Sequence, residues 1–247
     1  RFASQRNAKH AARLTVAGSQ SSDPSFASLF TSLREANAEV WRDYTEHPFV
    51  MALADGSLPE TAFRHYLIQD FIFLRHFARA YGLAAYKSDS LEEIRAASQG
   101  LQAIVNKEIG LHEAYCADWG VNSATLECEP EDGATLAYTR YVLERGMAGD
   151  LLDLYVALAP CVVGYGEIGA RLMTDQRTRI KGNPYAAWIE MYGGEDYQIV
   201  SSEAVHLLDR VGKTRGADKR ITTLRQTFGE ATRLETAFWQ MGLAAGK

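Results

Sequence analysis

Apolar residues recur at three- and four-residue intervals from Ser25 almost to the end of the chain. Nowhere does the sequence sustain the apolar–polar alternation of a half-buried strand. That pattern confines the fold to helices. Phe26, Leu29, Phe30, Leu33, Val40 and Trp41 mark a first helix reaching about Tyr44. The stretch EHPFVMALADGSLPE, 46–60, reads as a connection punctuated by Gly56 and Pro59. Residues 61–88 and 91–120 predict two long helices, and NSATLECEPEDG, 122–133, is polar and turn-rich. Helices follow over about 134–148, 150–174, 184–192, 195–212 and 217–243, with Asp150 as an N-cap after the break at MAGD. No fixed-period repeat is present. The expectation is an all-α, compact bundle of seven to nine helices, forming one domain over 25–247.

The 247 residues are 47% hydrophobic, enough for a core that buries about 75% of the unfolded surface. Acids outnumber bases 31 to 26, and the bases are dispersed through helical patterns, so no nucleic-acid partner is expected. No apolar run is read as approaching the ~20 residues of a membrane span, so no membrane partner is expected either. Cys116, Cys128 and Cys161 are odd in number and lack metal-type spacing. They argue for a reducing compartment, read as cytoplasmic, and against a disulfide framework or structural zinc. Residues 1–24 carry Arg1, Arg6, Lys9 and Arg13 against one acid, Asp23. They read as a linker or tail from a longer chain, a transit-peptide remnant that leaves organelle import open, or an added segment.

The stretch ALAPCVVGYGEIGARL, 157–172, places a proline, a thiol, a phenol and glycines within one apolar helix. Cys161 and Tyr165 are four apart and share a face. Pro160 removes a backbone hydrogen bond and predicts a kink that exposes the thiol. The competing reading is an inert buried cysteine, which behaves as a small hydrophobe. Asp70, Phe73 and Phe77 share a face of the second long helix with Tyr66 and Tyr81. A carboxylate there is either a paired, functional group or a half-exposed cap. Glu235 borders the apolar stripe of Leu234, Phe238 and Met241 and is either functional or simply solvated. Twelve tyrosines, six of them between Tyr138 and Tyr192, suit the edge of a core or the walls of a pocket for a flat polar heterocycle. Glu108 and His112 have ligand spacing but supply two ligands at most, so no metal site is expected. Phosphate-binding glycine loops, the nucleophile elbow and the dinucleotide fingerprint are absent.

Taken together, HPFVMALADGSLP (47–59), FRHYLIQDFIFL (63–74), KEIGLHEAY (107–115), LAPCVVGYGEIG (158–169), YAAWIEMYGGEDY (185–197) and ETAFWQM (235–241) resemble the TenA, or thiaminase II, family in order and spacing. The wording of YTEHPFVMALADG and APCVVGY is most similar to the thiaminase domain that closes fungal-type fused pyrimidine kinases. The resemblance covers about 25–243 and implies a heme-oxygenase-like bundle assembled as a homotetramer. It implies an aminopyrimidine hydrolase acting on thiamin or its degradation products, with no cofactor. By motif position it implies that Cys161 is the nucleophile and Glu235 the acid/base. Asp70 would hold the polar edge of the pyrimidine, and Phe73, Tyr138, Tyr165 and Tyr192 would line its pocket. Phe73 stands where many relatives have tyrosine. The alternatives are a non-catalytic pyrimidine-binding or regulatory protein on the same fold, or a metal or heme oxidase of similar architecture.

Overall fold

The computed structural model describes residues 28–246; the tail read over 1–24 lies outside them. Ser28 caps α1 (Leu29–Ala36), its hydroxyl oxygen accepting from the Thr31 amide at 3.5 Å. The expected single first helix is divided at Asn37, and α2 spans Ala38–Thr45. The Asn37 side-chain amide donates to the Leu33 carbonyl at 2.9 Å. In a continuous helix that carbonyl would receive the backbone N–H of Asn37, which bonds to Arg34 instead. A short polar side chain has outcompeted the helix for its own acceptor.

The stretch 46–60, expected to be a connection, contains α3 (Pro48–Asp55). His47 caps it, with Nδ1 accepting from the Phe49 amide at 3.2 Å. Pro48 takes the first helical position, where its missing N–H costs nothing, and Gly56 closes the helix at φ 79°. The punctuation therefore marks the ends of a helix.

The long helix α4 (Glu60–Lys87) follows, then α5 (Leu91–Ala103). A π-helical turn, Ile104–Glu108, joins α5 to α6 (Ile109–Asp118). The polar stretch beyond it holds a short α7 (Ser123–Cys128). The remaining helices are α8 (Gly133–Ala148), α9 (Leu151–Thr174), α10 (Ala186–Gly193) and α11 (Glu195–Thr214). The last is α12 (Ile221–Ala244), entered through a 3-10 turn at Ala217–Arg220. Twelve α-helices and no strand occur among the described residues. The four beyond the eight expected spans come from α3, α7, the division at Asn37 and the π-helical turn that divides 91–120 into α5 and α6.

The helix α9 is the axis of the bundle, packed by α8, α10, α11 and α12. Its start is fixed by a reciprocal cap, in which Asp150 accepts from the Asp153 amide and Asp153 accepts from the Asp150 amide. Contrary to the sequence expectation, α9 is long and apolar enough to cross a bilayer. Its composition answers instead to its place in the bundle, since 89% of its most apolar window is buried inside the protein. Pro160 does not divide it: helix runs unbroken from Leu151 to Thr174. A β-carbon on Gly164 would lie 2.3 Å from the ring of Tyr44, whose hydroxyl donates to the Pro160 carbonyl at 3.3 Å. The flat ring that this glycine admits belongs to α2.

Candidate active site

Two helices each bring one carboxylate to the centre of the bundle. Asp70 on α4 is 3% exposed and Glu235 on α12 is 2% exposed. The readings that left Asp70 half exposed and Glu235 solvated are therefore corrected. A carboxylate this deep requires partners, and the two have different ones.

Asp70 Oδ2 accepts from the Tyr66 hydroxyl at 3.0 Å, one helical turn earlier. It also lies 2.7 Å from His112 Nε2 on α6. His112 Nδ1 is 2.7 Å from the Glu108 carbonyl oxygen, which can only accept. Both ring nitrogens thus face acceptors, so His112 is a doubly protonated imidazolium paired with Asp70. Burial opposes that charge, but the hydrogen bond and charge of Asp70, with the Glu108 carbonyl, raise the imidazole pKa overall. The Glu108–His112 spacing therefore builds an ion-pair support. The π-helical turn that ends at Glu108 places this residue and its carbonyl inside the site; such turns recur at functional positions. The Glu108 carboxyl accepts from the Tyr192 hydroxyl at 3.3 Å, and burial followed by the charge of Asp70 pushes its pKa up to about 7.

Glu235 Oε1 accepts from the Tyr138 hydroxyl at 2.8 Å, and the buried Cys161 thiol lies beside its carboxyl. No cation contacts Glu235 among the described residues. Burial pushes its pKa up to about 8; the charge of Asp70 adds to this, and the Tyr138 hydroxyl and the Cys161 thiol oppose it. Burial also holds the Cys161 thiol well above its usual range, helped by the negative charges of Glu235, Glu108 and Asp70. At neutral pH the resting pair is mainly a thiol beside a carboxylic acid.

Aromatic rings enclose both carboxylates. The hydroxyls of Tyr66 and Tyr165 lie 3.4 Å apart, and Trp188 Nε1 donates to Tyr66 at 3.1 Å. The Tyr165 ring meets Tyr192 edge-on at 4.9 Å and Trp239 at 5.3 Å. Phe73 lies 4.8 Å from Tyr138 and 5.6 Å from Phe238. Asp70, Phe73, Tyr138, Cys161, Tyr165, Tyr192 and Glu235 thus converge from α4, α8, α9, α10 and α12. Tyr141 and Tyr185 do not join them, since their hydroxyls donate to the Thr227 and Leu58 carbonyls. Sequence reasoning assigned no site role to Tyr66, Glu108, His112 or Trp188. The i, i+4 spacing of Tyr66 and Asp70 was the available signal for the first of these.

The sequence profile described as the TENA/THI-4/PQQC family matches residues 34–245. The chain belongs to that family. It is 33% identical over 221 residues to an aminopyrimidine aminohydrolase of Halalkalibacterium halodurans, covering 87% of this chain and 95% of that one. It is 36% identical over 200 residues to a putative hydroxymethylpyrimidine/phosphomethylpyrimidine kinase of Schizosaccharomyces pombe. That match spans 81% of this chain but only 36% of the kinase. A crystal structure titled a TenA family transcription regulator, from Silicibacter sp., superposes with a TM-score of 0.80 at 46% identity. It covers 87% of this chain and 96% of that one. A Shewanella denitrificans domain described as heme-oxygenase-like superposes at 0.66 with 15% identity, covering 85% and 90%, a likeness of fold alone. The all-α, heme-oxygenase-like architecture expected of a TenA member is the one observed.

Proposed function

We propose that this TenA-family chain is an aminopyrimidine hydrolase in which Cys161 is the nucleophile and Glu235 relays the proton. The observation that carries the reading is a buried thiol beside a buried, uncompensated carboxyl that the Tyr138 hydroxyl holds at 2.8 Å. The 33% identity to an aminopyrimidine aminohydrolase supports it.

The substrate is a pyrimidine bearing an exocyclic amine and a methylene attached to a leaving group. Asp70, paired with His112, accepts from the amine edge, and the rings of Phe73, Tyr138, Tyr165 and Tyr192 stack around the heterocycle. Direct displacement at the methylene is hard, and adding a nucleophile to the ring splits it into easier steps. Protonated Glu235 gives its proton to a ring nitrogen, and the carboxylate so formed takes the proton of Cys161 as sulfur bonds to the ring carbon. The thiol thus adds across a C=N bond without a free thiolate being stored. The ring nitrogen's electron pair then expels the leaving group, which departs with its bonding pair. Water adds to the exocyclic methylene, and the proton it loses goes to an amine leaving group, or to solvent where the leaving group was cationic and departs as a neutral heterocycle. The C–S bond breaks, the ring proton returns through Glu235 to sulfur, and a hydroxymethylpyrimidine is released. The product is of a kind that salvage of degraded thiamin would use.

The test offers thiamin and its aminomethylpyrimidine degradation product separately to wild type and to Cys161→Ser, with product release followed by mass spectrometry. The expected result is release by wild type and a loss of about 10⁴-fold in the variant, with an unchanged helical circular-dichroism signal. Full release by Cys161→Ser removes the proposed nucleophile. Binding of the pyrimidine without release by wild type replaces the hydrolase with a binding protein.

A further inference from the structure

Asp70, Cys161, Tyr165, Tyr192 and Glu235 are all buried, so a flat ring reaches them only if a wall of the site opens. Most of that wall is α4, α8, α9 and α12, each packed against the other three. Parting those faces would expose the apolar core. The remaining wall is a seam, with α5 and the π-helical turn Ile104–Glu108 on one side and α10 and α11 on the other. Both α5 and the turn pack on α4, and no comparable packing joins either to α10 or α11 among the described residues. Two adjoining cavities occupy the seam, of about 350 and 270 Å3, with Ala103 and Val200 lining both. Protein interiors are otherwise close-packed, so the seam is where this structure parts at least cost.

One layer of side chains separates the larger cavity from the site. Glu108 lines the cavity, and its carboxyl accepts from the hydroxyl of Tyr192 at 3.3 Å. Tyr197 also lines it. Its ring meets Tyr192 edge-on at 4.8 Å, and its hydroxyl donates at 3.3 Å to the carbonyl of Val162, the residue after Cys161. At the surface, Lys107 reaches across the seam to Asp196 at 2.9 Å. These side chains are 63% and 84% exposed, and an ion pair so exposed holds weakly.

The two sides of the seam are not equally free. The Gln198 side-chain amide donates to the Gly166 and Tyr192 carbonyls at 2.9 and 2.8 Å, tying the α10–α11 corner to α9. A β-carbon on Gly169 would fall 2.3 Å from the Tyr192 backbone, so α9 and α10 meet backbone to backbone. The opposite side is the π-helical turn, with Val105, Asn106 and Lys107 exposed. Its wider helical bonding is the kind of irregularity that recurs at functional positions.

We propose that this seam is the entrance to the site: the π-helical turn swings away from the α10–α11 corner, with Lys107–Asp196 as its outer latch and Glu108–Tyr192 as its inner one. The hydrolase reading supplies only the identity of what enters; the place of entry follows from the seam. Lys107, Glu108 and Asp196 are positioning residues that set the rate of access.

The experiment bridges the seam. Lys107→Cys and Asp196→Cys are combined, with the exposed Cys128 replaced by serine, and the new pair is joined by a short bis-methanethiosulfonate linker that a reductant removes. The single cysteine variants, treated alike, are the controls. The first readout is alkylation of Cys161 by iodoacetamide, followed by mass spectrometry, which needs neither a pyrimidine nor turnover. Bridging should slow it about tenfold or more, and reduction of the bridge should restore it. Lys107→Ala, which removes one exposed ion pair, should quicken it about two- to fivefold. The second readout is kcat/KM on the aminomethylpyrimidine, which should fall with the bridge and recover with its reduction. Slowed alkylation in a protein whose wild type hydrolyses nothing keeps the entrance and removes the hydrolase. Alkylation at the unbridged rate overturns the entrance even if the pyrimidine is hydrolysed, and so does undiminished kcat/KM in the bridged protein. Where the cysteine pair does not fold, Lys107→Ala decides alone, and an unchanged alkylation rate overturns the proposal.

Discussion

Asp70 and Glu235 are carboxylates of equal burial, on helices that pack against each other, yet they form two different devices. Asp70 has the imidazole of His112 at 2.7 Å and a phenol at 3.0 Å. Glu235 has a phenol at 2.8 Å and a thiol, and its charge is suppressed at neutral pH. One imidazolium separates them into a fixed anion that binds and a proton carrier that reacts. Such a contrast of partners gives two carboxyls at one site different roles.

The largest effect on the Asp70 side should come from His112→Ala. It leaves Asp70 buried without its cation, and removing one partner of a buried ion pair costs about 3–5 kcal/mol. Urea denaturation should show that loss. Adding Asp70→Asn should recover part of it, because the two sites share one interaction. Additive costs in the double variant would mean that His112 is not charged against Asp70, and the contrast between the two carboxyls would collapse.

Next in size is Glu235→Gln, which keeps the acceptor for Tyr138 and removes the mobile proton. It should lower kcat by about 10²-fold or more while leaving KM for the pyrimidine within a few-fold. Its second signature is in stability. Glu235 binds its proton more tightly when folded than when unfolded. The stability this gives is complete below the ordinary carboxylate range and is lost as pH rises from there through about 8. Glu235→Gln should therefore flatten the fall in Tm between pH 5 and 8, with Glu108 accounting for a residual slope of the same sign. An unaltered Tm profile would place the Glu235 pKa in the ordinary range and remove its role as the resting acid.

The two carboxyls also show how far the sequence could be read. Periodicity was enough for α4, α8, α9 and α11, because each repeats its apolar face over many turns. It missed α3, where Pro48 and Gly56 lie so close together that two helix-end signals looked like one loop. It ran α1 into α2 because the competition at Asn37 is between a side chain and a backbone carbonyl, which spacing cannot weigh. At the site, Cys161, Glu235 and Asp70 each had an equally good bland reading alone. Only motifs in their joint order singled them out. The support beneath them stayed hidden for a physical reason: His112 is 42 residues from Asp70, and local spacing tied it to Glu108 instead. Gly164 makes room for the ring of Tyr44, supplied by a helix 120 residues earlier in the chain, a partner that local spacing does not reveal.

The smallest expected effect is at the residue that joins the two devices. Phe73 stands on the helix of Asp70, one turn from it, but its ring packs against Tyr138, the partner of Glu235. It is therefore a wall common to the fixed and the mobile charge, and it carries no proton of its own. Phe73→Tyr adds a hydroxyl to that wall. A hydroxyl that reaches the bound pyrimidine adds one neutral hydrogen bond, about 1 kcal/mol, and should lower KM about fivefold. The kcat and its pH dependence should stay put, because neither His112–Asp70 nor Cys161–Glu235 has changed partners. A shift in the pH profile of kcat would mean that the new hydroxyl competes with Tyr138 for Glu235, placing Phe73 on the proton-carrying side. An unchanged KM would mean that the ring only fills space between the two carboxyls. Steady-state kinetics on the aminomethylpyrimidine at several pH values, with wild type and Phe73→Tyr side by side, separates the three outcomes.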